Sequence, residues 1–231
     1  MKRPFNSSPP PPPPPPPPYS DIPIEFLLQM GSSEINLHGV QITTHVINNV
    51  EAVNKHITEL RTYLECNTKV VGLDLKMKIK PDGGSYNYKS QPDILILCVF
   101  RRCLIIHLDS IVKVFDVPKS LEDFVNDPMI CFVGATTLPE DQDRFKFSYP
   151  KVGVTVGDLA ARVLRKPGLT ESSLADVAKE VGVLYKGGSV NEIVIKSSMD
   201  RTVLTDEQIK IVLSEAYAYY QIGYKLLNSL W

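Results

Sequence analysis

Three acidic residues stand in otherwise apolar stretches of this 231-residue chain: Asp74 in the run 70–79 (Val-Val-Gly-Leu-Asp-Leu-Lys-Met-Lys-Ile), Asp141 just after the run 129–135, and Glu215 in the last periodic stretch. Hard carboxylate oxygens from well-separated positions are the usual means of holding two Mg²⁺ or Mn²⁺ ions about 3.5–4 Å apart, the arrangement that hydrolyses phosphodiesters. Taken singly, each acid is more often a helix cap or a solvated side chain. Asp74 is the most telling. Residues i, i+2 and i+4 of a strand share a face, so Val71, Leu73, Leu75, Met77 and Ile79 line one side, and Asp74, Lys76, Lys78 and Lys80 the other. An acid in so apolar a run needs a partner. Either it belongs to a polar site, or Lys76 and its neighbours satisfy it.

The elements around these acids read as an α/β domain with a mixed sheet. Alternation from Ile35 to Val46 gives strands around His38-Gly39, and Val53, Ile57, Leu60 and Leu64 fall at helical spacing behind Asn48-Asn49, which can cap a helix. After the turn-rich 81–85, two short apolar runs, 94–100 and 103–108, are separated by Arg101-Arg102 and read as a hairpin. Ser120-Leu-Glu-Asp123 has the form of a capping box for a short helix, 129–135 is a buried strand, and helices are expected at 156–164 and 173–181. The last helix is the clearest. Thr205-x-x-Gln208 is a capping box, and Ile209, Val212, Leu213, Ala216, Tyr220, Gly223 and Leu227 repeat at helical spacing.

Composition narrows the class. A chain of this length with 43% hydrophobic residues suits one domain, and 25 basic against 26 acidic side chains leave no global positive field for nucleic acid. No run reaches the roughly 18 apolar residues of a membrane span, and the N-terminus lacks the apolar segment of a secretory signal, so an intracellular protein, nuclear or cytoplasmic, is expected. The four cysteines (Cys66, Cys98, Cys103, Cys131) form no Cys-x-x-Cys pair, and a structural zinc site is not expected from them. Cys98 and Cys103 can face each other across the hairpin, but two buried reduced thiols are the expected state. From Pro9 to Pro18 the chain is an unbroken proline run, a polyproline II rod of roughly 31 Å at about 3.1 Å per residue. It is either a stiff disordered tail or a ligand for a proline-groove protein of the SH3, WW or profilin kind. Residues 1–33 are therefore read as a disordered proline-rich tail and 34–231 as the folded domain.

From about Glu34 to Leu227 the chain resembles the Werner-syndrome-like 3′–5′ exonucleases, of the single-domain type found in plants. The carriers are Val-Val-Gly-Leu-Asp-Leu (70–75), Leu-Cys-Val-Phe-Arg-Arg-Cys-Leu-Ile (97–105), Phe-Val-Gly (132–134), Asp-Leu-Ala-Ala-Arg-Val-Leu (158–164), Leu-Thr-Asp-Glu-Gln-Ile-Lys (204–210) and Ala-Tyr-Ala (216–218). The resemblance implies the ribonuclease-H-like fold of the DEDD superfamily, a mixed sheet flanked by helices, with Mg²⁺ or Mn²⁺ as cofactor and a DNA or RNA 3′ end as substrate. The family's first motif, Asp-x-Glu, puts two metal-binding carboxylates on one strand face. Asp74 matches, but the Glu position holds Lys76, and Met77 stands where a tryptophan often follows. The aspartate expected after Phe-Val-Gly is best matched by Asp141, with Glu140 as competitor. The third motif, a tyrosine and then an aspartate four residues later, falls on Ile211 and Glu215. Asp74, Asp141 and Glu215 are thus the metal-binding positions if a metal is bound.

Lys76 removes a negative ligand and adds a positive charge where a dication must sit. One unit-charge contact at 4 Å is worth about 4 kcal/mol at an effective dielectric near 20, so exchanging attraction for repulsion outweighs ordinary metal affinity. Asp74 and Glu215 would then pair with Lys76 itself. Ile211 has no polar side-chain atom with which to orient a water. A protein that binds nucleic acid through an exonuclease fold, with weak or lost catalysis, is the reading that follows, with Lys76, Lys78 and Lys80 as phosphate contacts. The opposing readings are an active exonuclease that recruits Glu140 or Asp143, and a scaffold whose working part is the proline rod.

Overall fold

The computed structural model describes residues 32–81, 88–112, 117–135, 153–186 and 206–229. The proline run, residues 1–31 of the stretch read as a tail, and Asp141 lie outside them, while Ser32 and Ser33 already pair in the sheet.

Strands β1 (Ser32–Leu37) and β2 (Val40–Ile47) pair antiparallel through the two-residue turn His38-Gly39. Both turn residues have positive φ, 53° and 85°, the geometry that matches the right-handed twist of a tight hairpin. Helix α1 (Val50–Glu65) starts where expected: the Asn49 side chain accepts a hydrogen bond from the Ala52 N–H at 2.8 Å. Strands β3 (Val70–Pro81), β4 (Tyr88–Val99) and β5 (Arg102–His107) follow, the last two joined by the tight turn Phe100-Arg101. Then come α2 (Leu108–Val112), α3 (Lys119–Val125), β6 (Cys131–Gly134), β7 (Gly153–Thr155), α4 (Val156–Leu164), a 3₁₀ turn (Pro167–Leu169), α5 (Leu174–Val181) and α6 (Asp206–Asn228).

The seven strands form one mixed sheet in the order β1-β2-β5-β4-β3-β6-β7, with β2/β5, β3/β6 and β6/β7 parallel and the other pairs antiparallel. Helices cover both faces, giving the ribonuclease-H-like α/β arrangement. Val53, Ile57 and Leu60 of α1 and Leu121 and Phe124 of α3 pack with Val71, Leu73, Leu95 and Leu97 on one side. Ala160, Val177, Leu213, Ala216 and Tyr220 of α4, α5 and α6 pack with Val70, Ile94, Ile96 and Val133 on the other. The alternation along β3 thus divides its side chains between two cores.

Three details differ from the sequence reading. Helix α3 begins one residue before Ser120, behind Pro118, and has no side-chain cap; Ser120 Oγ instead donates to Asn54 Oδ1 of α1, tying the two helices together. Strand β6 is shorter than 129–135, because Met129 is exposed and the chain turns at 127–130 before it pairs with β3. Cys98 and Cys103 are joined in a disulfide rather than left as thiols, since the hairpin register sets them directly opposite, with Cα atoms 4.3 Å apart.

Candidate functional site

Helix α6 lies against the middle of the sheet because β3 offers it no side chain at Gly72. A Cβ there would come within 2.1 Å of the Ala216 carbonyl oxygen and 2.6 Å of the Tyr220 nitrogen, both helix backbone. Farther along, a Cβ at Gly223 would meet Val133 Cγ2 at 2.7 Å and Val70 Cγ1 at 3.0 Å, so the helix sits equally close to β6. This close crossing sets Glu215, the neighbour of Ala216, beside Asp74 and Lys76, two and four residues beyond Gly72.

Lys76 Nζ lies 2.7 Å from Asp74 Oδ2 and 2.5 Å from Glu215 Oε2. Exposure grades outward, with 8% of the Asp74 side chain reaching solvent, 21% of Lys76 and 39% of Glu215. Toward Glu215 the ammonium donates a hydrogen bond. Toward Asp74 the ammonium lies 2.7 Å from Oδ2, which is shut off from solvent, and the contact favours the charged forms of both groups. Burial pushes the Asp74 carboxyl above its ordinary range; the Lys76 ammonium pulls it back, and the Glu215 charge adds to the rise. Burial works against the Lys76 ammonium, but Asp74 first and Glu215 second outweigh it and hold the lysine above its usual value. Lys76 is thus a firmly charged cation between two acids.

The structure brings Asp74, Lys76 and Glu215 together from strand and helix, with Lys76 and Glu215 139 positions apart in sequence. Asp74 also lies one residue past the last pair of the parallel β3/β6 ladder, Leu73 with Gly134. Ligand sites of open α/β sheets commonly lie beyond the carboxyl ends of such strands. Ile211 is half-buried on α6, one turn before Glu215. Asp141, Glu140 and Asp143 lie outside the described residues. Tyr185, which the sequence reading passed over, completes the surroundings: burial raises its phenol, and the Glu215 charge raises it further, with smaller effects from Lys76 and Asp74. Nothing in the local sequence of Tyr185 marks it, because it follows α5 in a stretch without periodicity.

A divalent ion does not fit this arrangement. The space between Asp74 and Glu215 that two carboxylates would give to a metal is taken by an ammonium, which cannot share it with a dication. The carboxylates and the lysine satisfy one another, and Ile211 contributes no polar side-chain atom.

No family model matches the chain, and no curated protein matches it in sequence. Among solved structures, the Trypanosoma brucei RNase D superposes with a TM-score of 0.60 at 12% identity over 80% of this chain and 64% of its own. The Escherichia coli RNase D, described as an exoribonuclease involved in structured RNA processing, superposes at 0.55 and 15% identity over 80% of this chain. The trypanosomal enzyme bound to the RNA U12 gives 0.57 at 12% identity. The chain spans 44% of the length of the bacterial structure and under two thirds of the trypanosomal ones. In backbone architecture, then, this chain has the exonuclease fold of the RNase D structures.

Proposed function

We propose that this protein is a pseudo-exonuclease: it binds nucleic acid 3′ ends through an exonuclease fold whose metal centre has been replaced by a lysine. One observation carries the reading, the Lys76 ammonium 2.7 Å from Asp74 and 2.5 Å from Glu215. Two acids that would share a dication instead share one monocation. The Werner-like pattern of the sequence supports it further, because Lys76 and Ile211 fall on motif positions that hold a carboxylate and a tyrosine in that family. The RNase D fold and the RNA held by one such structure favour nucleic acid as the ligand.

Lys76 cannot serve as a phosphate contact while both carboxylates hold it, so Lys78 and Lys80, farther along β3, remain as basic residues for that role. The folded domain takes in β1 from Ser32. Mg²⁺ or Mn²⁺ would be the cofactor only of a form in which the carboxylate set is complete. The test uses labelled single strands and 3′-recessed duplexes of DNA and RNA. The full chain should bind them without added metal and leave them intact in Mg²⁺ or Mn²⁺. Metal-dependent shortening from the 3′ end would overturn the reading and make the protein an active exonuclease, with Glu140 or Asp143 as the recruited acid.

A further inference from the structure

On the opposite face of the sheet from α6, His45 of β2 stacks on His56 of α1 with ring centroids 4.1 Å apart, and His56 Nδ1 lies 2.9 Å from Glu59 Oε2. One ligand atom from each of the three residues lies within 4.8 Å of the other two. His56 and Glu59 stand three apart on α1 and so share a face, and the end of β2 brings in the third group. His56 is buried, whereas Glu59 is half-exposed, so three protein ligands on one side would leave an open coordination position toward water.

The local chemistry is otherwise unfinished. His45 Nδ1 is shut off from solvent with no hydrogen-bond partner among the described residues, and buried ring nitrogens of native proteins ordinarily have one. The cations nearby are Lys55 and Arg102. Arg102 lies 3.7 Å from Glu59 Oε2, at the long end of an ion pair, with its guanidinium held over the Tyr63 ring at 4.3 Å. Glu59 is therefore only loosely engaged by Arg102, and its tie to His56 already sets two donors close to the separation that neighbouring ligands keep on one ion, about 3.3 Å for bonds of 2.0–2.1 Å at a tetrahedral angle. Two imidazoles and one carboxylate form a set that suits Zn²⁺ better than Mg²⁺ or Ca²⁺.

We propose that His45, His56 and Glu59 form a transition-metal site that takes Zn²⁺ and clips β2 to α1, separate from the Asp74–Lys76–Glu215 cluster. Imidazole lone pairs lie in the ring plane, so binding would turn one ring out of the 4.1 Å stack to aim its nitrogen at the ion, and would cross-link strand to helix.

The test is a titration of the full chain, stripped with a chelator, with Co²⁺ as a visible stand-in for Zn²⁺, followed by displacement with Zn²⁺. One equivalent of Co²⁺ should bind with the absorption of a low-coordinate nitrogen and oxygen environment, and Zn²⁺ should abolish the band. His45→Asn and Glu59→Gln should each weaken binding more than about tenfold, the scale of loss seen even when an outer-shell partner of a metal is removed. Asp74→Asn should leave it unchanged, which separates this site from the other cluster. Glu59 reaches solvent, so Glu59→Gln decides the matter even if His45→Asn fails to fold, a point checked by far-ultraviolet circular dichroism. The proposal is overturned if Glu59→Gln binds as tightly as the parent, if Asp74→Asn removes the band, or if a thiolate charge-transfer band places the ion on the exposed Cys66.

Discussion

Lys76 Nζ and Glu215 Oε2 are 2.5 Å apart although 139 residues separate them in sequence, and the same ammonium meets Asp74 on its own strand. The contact depends on Gly72, where the helix backbone touches the strand, and on the alternation that puts Asp74 and Lys76 on the α6 side of the sheet. A lysine held by two acids does the electrostatic work of a cation without its Lewis acidity.

Removing that lysine should destabilise the fold. Lys76→Met leaves Asp74 and Glu215 facing each other unpaired; fully buried pairs lose about 3–5 kcal/mol when one partner goes. Glu215 is 39% exposed and screened by water, so a smaller loss of about 1–3 kcal/mol is expected. The loss should shrink on acidification. Burial already holds the Asp74 carboxyl above its ordinary 3.8, and a carboxyl whose folded pKa is raised favours the fold below the unfolded value and costs stability as pH rises through it. Urea melts of parent and variant at about pH 5 and pH 7.5 check both expectations.

Gly72→Ala should be more disruptive than its one added methyl suggests. The new Cβ would lie 2.1 Å from the Ala216 carbonyl, and backbone cannot swing away as a side chain can. Overpacking of this kind costs about 1–3 kcal/mol and should push α6 off β3, lengthening the Lys76–Glu215 contact. Thermal melting reads the first effect and a crystal structure of the variant the second.

Much of this site was legible in sequence because strand and helix periodicities assign faces. The run 70–79 placed Asp74 and Lys76 on one side of a strand, and the spacing of Leu213, Ala216 and Tyr220 marked the buried stripe of α6 with Glu215 at its edge. Helix α4 runs over 156–164 as the pattern indicated, and Asn49 caps α1. What periodicity cannot convey is three-dimensional proximity between unrelated segments. Ser120 looked like a cap but bonds across to Asn54, and Tyr185 and the His45–His56 stack arise only when the chain has folded. The Cys98–Cys103 bridge follows from the hairpin register, which overrides the expectation of reduced thiols drawn from compartment. Asp141, a site position expected only from the sequence pattern, lies outside the described residues.

Acid should weaken the metal-free protein as its buried imidazoles are made to take up protons. Burial, together with the neighbouring His56, lowers the His45 pKa from 6.5 to about 4, and burial lowers that of His107 against the pull of Asp93. A base whose folded pKa lies below its unfolded one favours the fold above the unfolded value and loses that contribution as pH falls through the folded one. Stability in chelator should therefore decline between about pH 6.5 and pH 4, and His45→Gln should flatten part of the slope. Denaturant melts across that interval measure it.

The proline run should be dispensable for folding, because prolines have no backbone N–H to offer a sheet or helix. Deleting residues 1–30 is expected to leave the thermal midpoint nearly unchanged. A fall of more than about 5 °C, roughly 1–2 kcal/mol for a domain of this size, would mean that the tail docks on the domain.

The most direct test of the proposed lysine-for-metal substitution is a Mn²⁺ titration, followed by electron paramagnetic resonance, of the parent, Lys76→Glu and the double variant Lys76→Glu/Asp74→Asn. The single change moves the local charge by two units and reverses the sign of the ion's interaction at that position. Lys76→Glu should bind Mn²⁺ that the parent does not, should regain with the metal the stability it loses without it, and should lose the binding again when Asp74 is neutralised. Adding Ile211→Tyr and Glu215→Asp should then restore cleavage of a 3′-recessed duplex. A parent protein that already binds Mn²⁺ tightly through Asp74 and degrades the duplex would contradict the substitution outright.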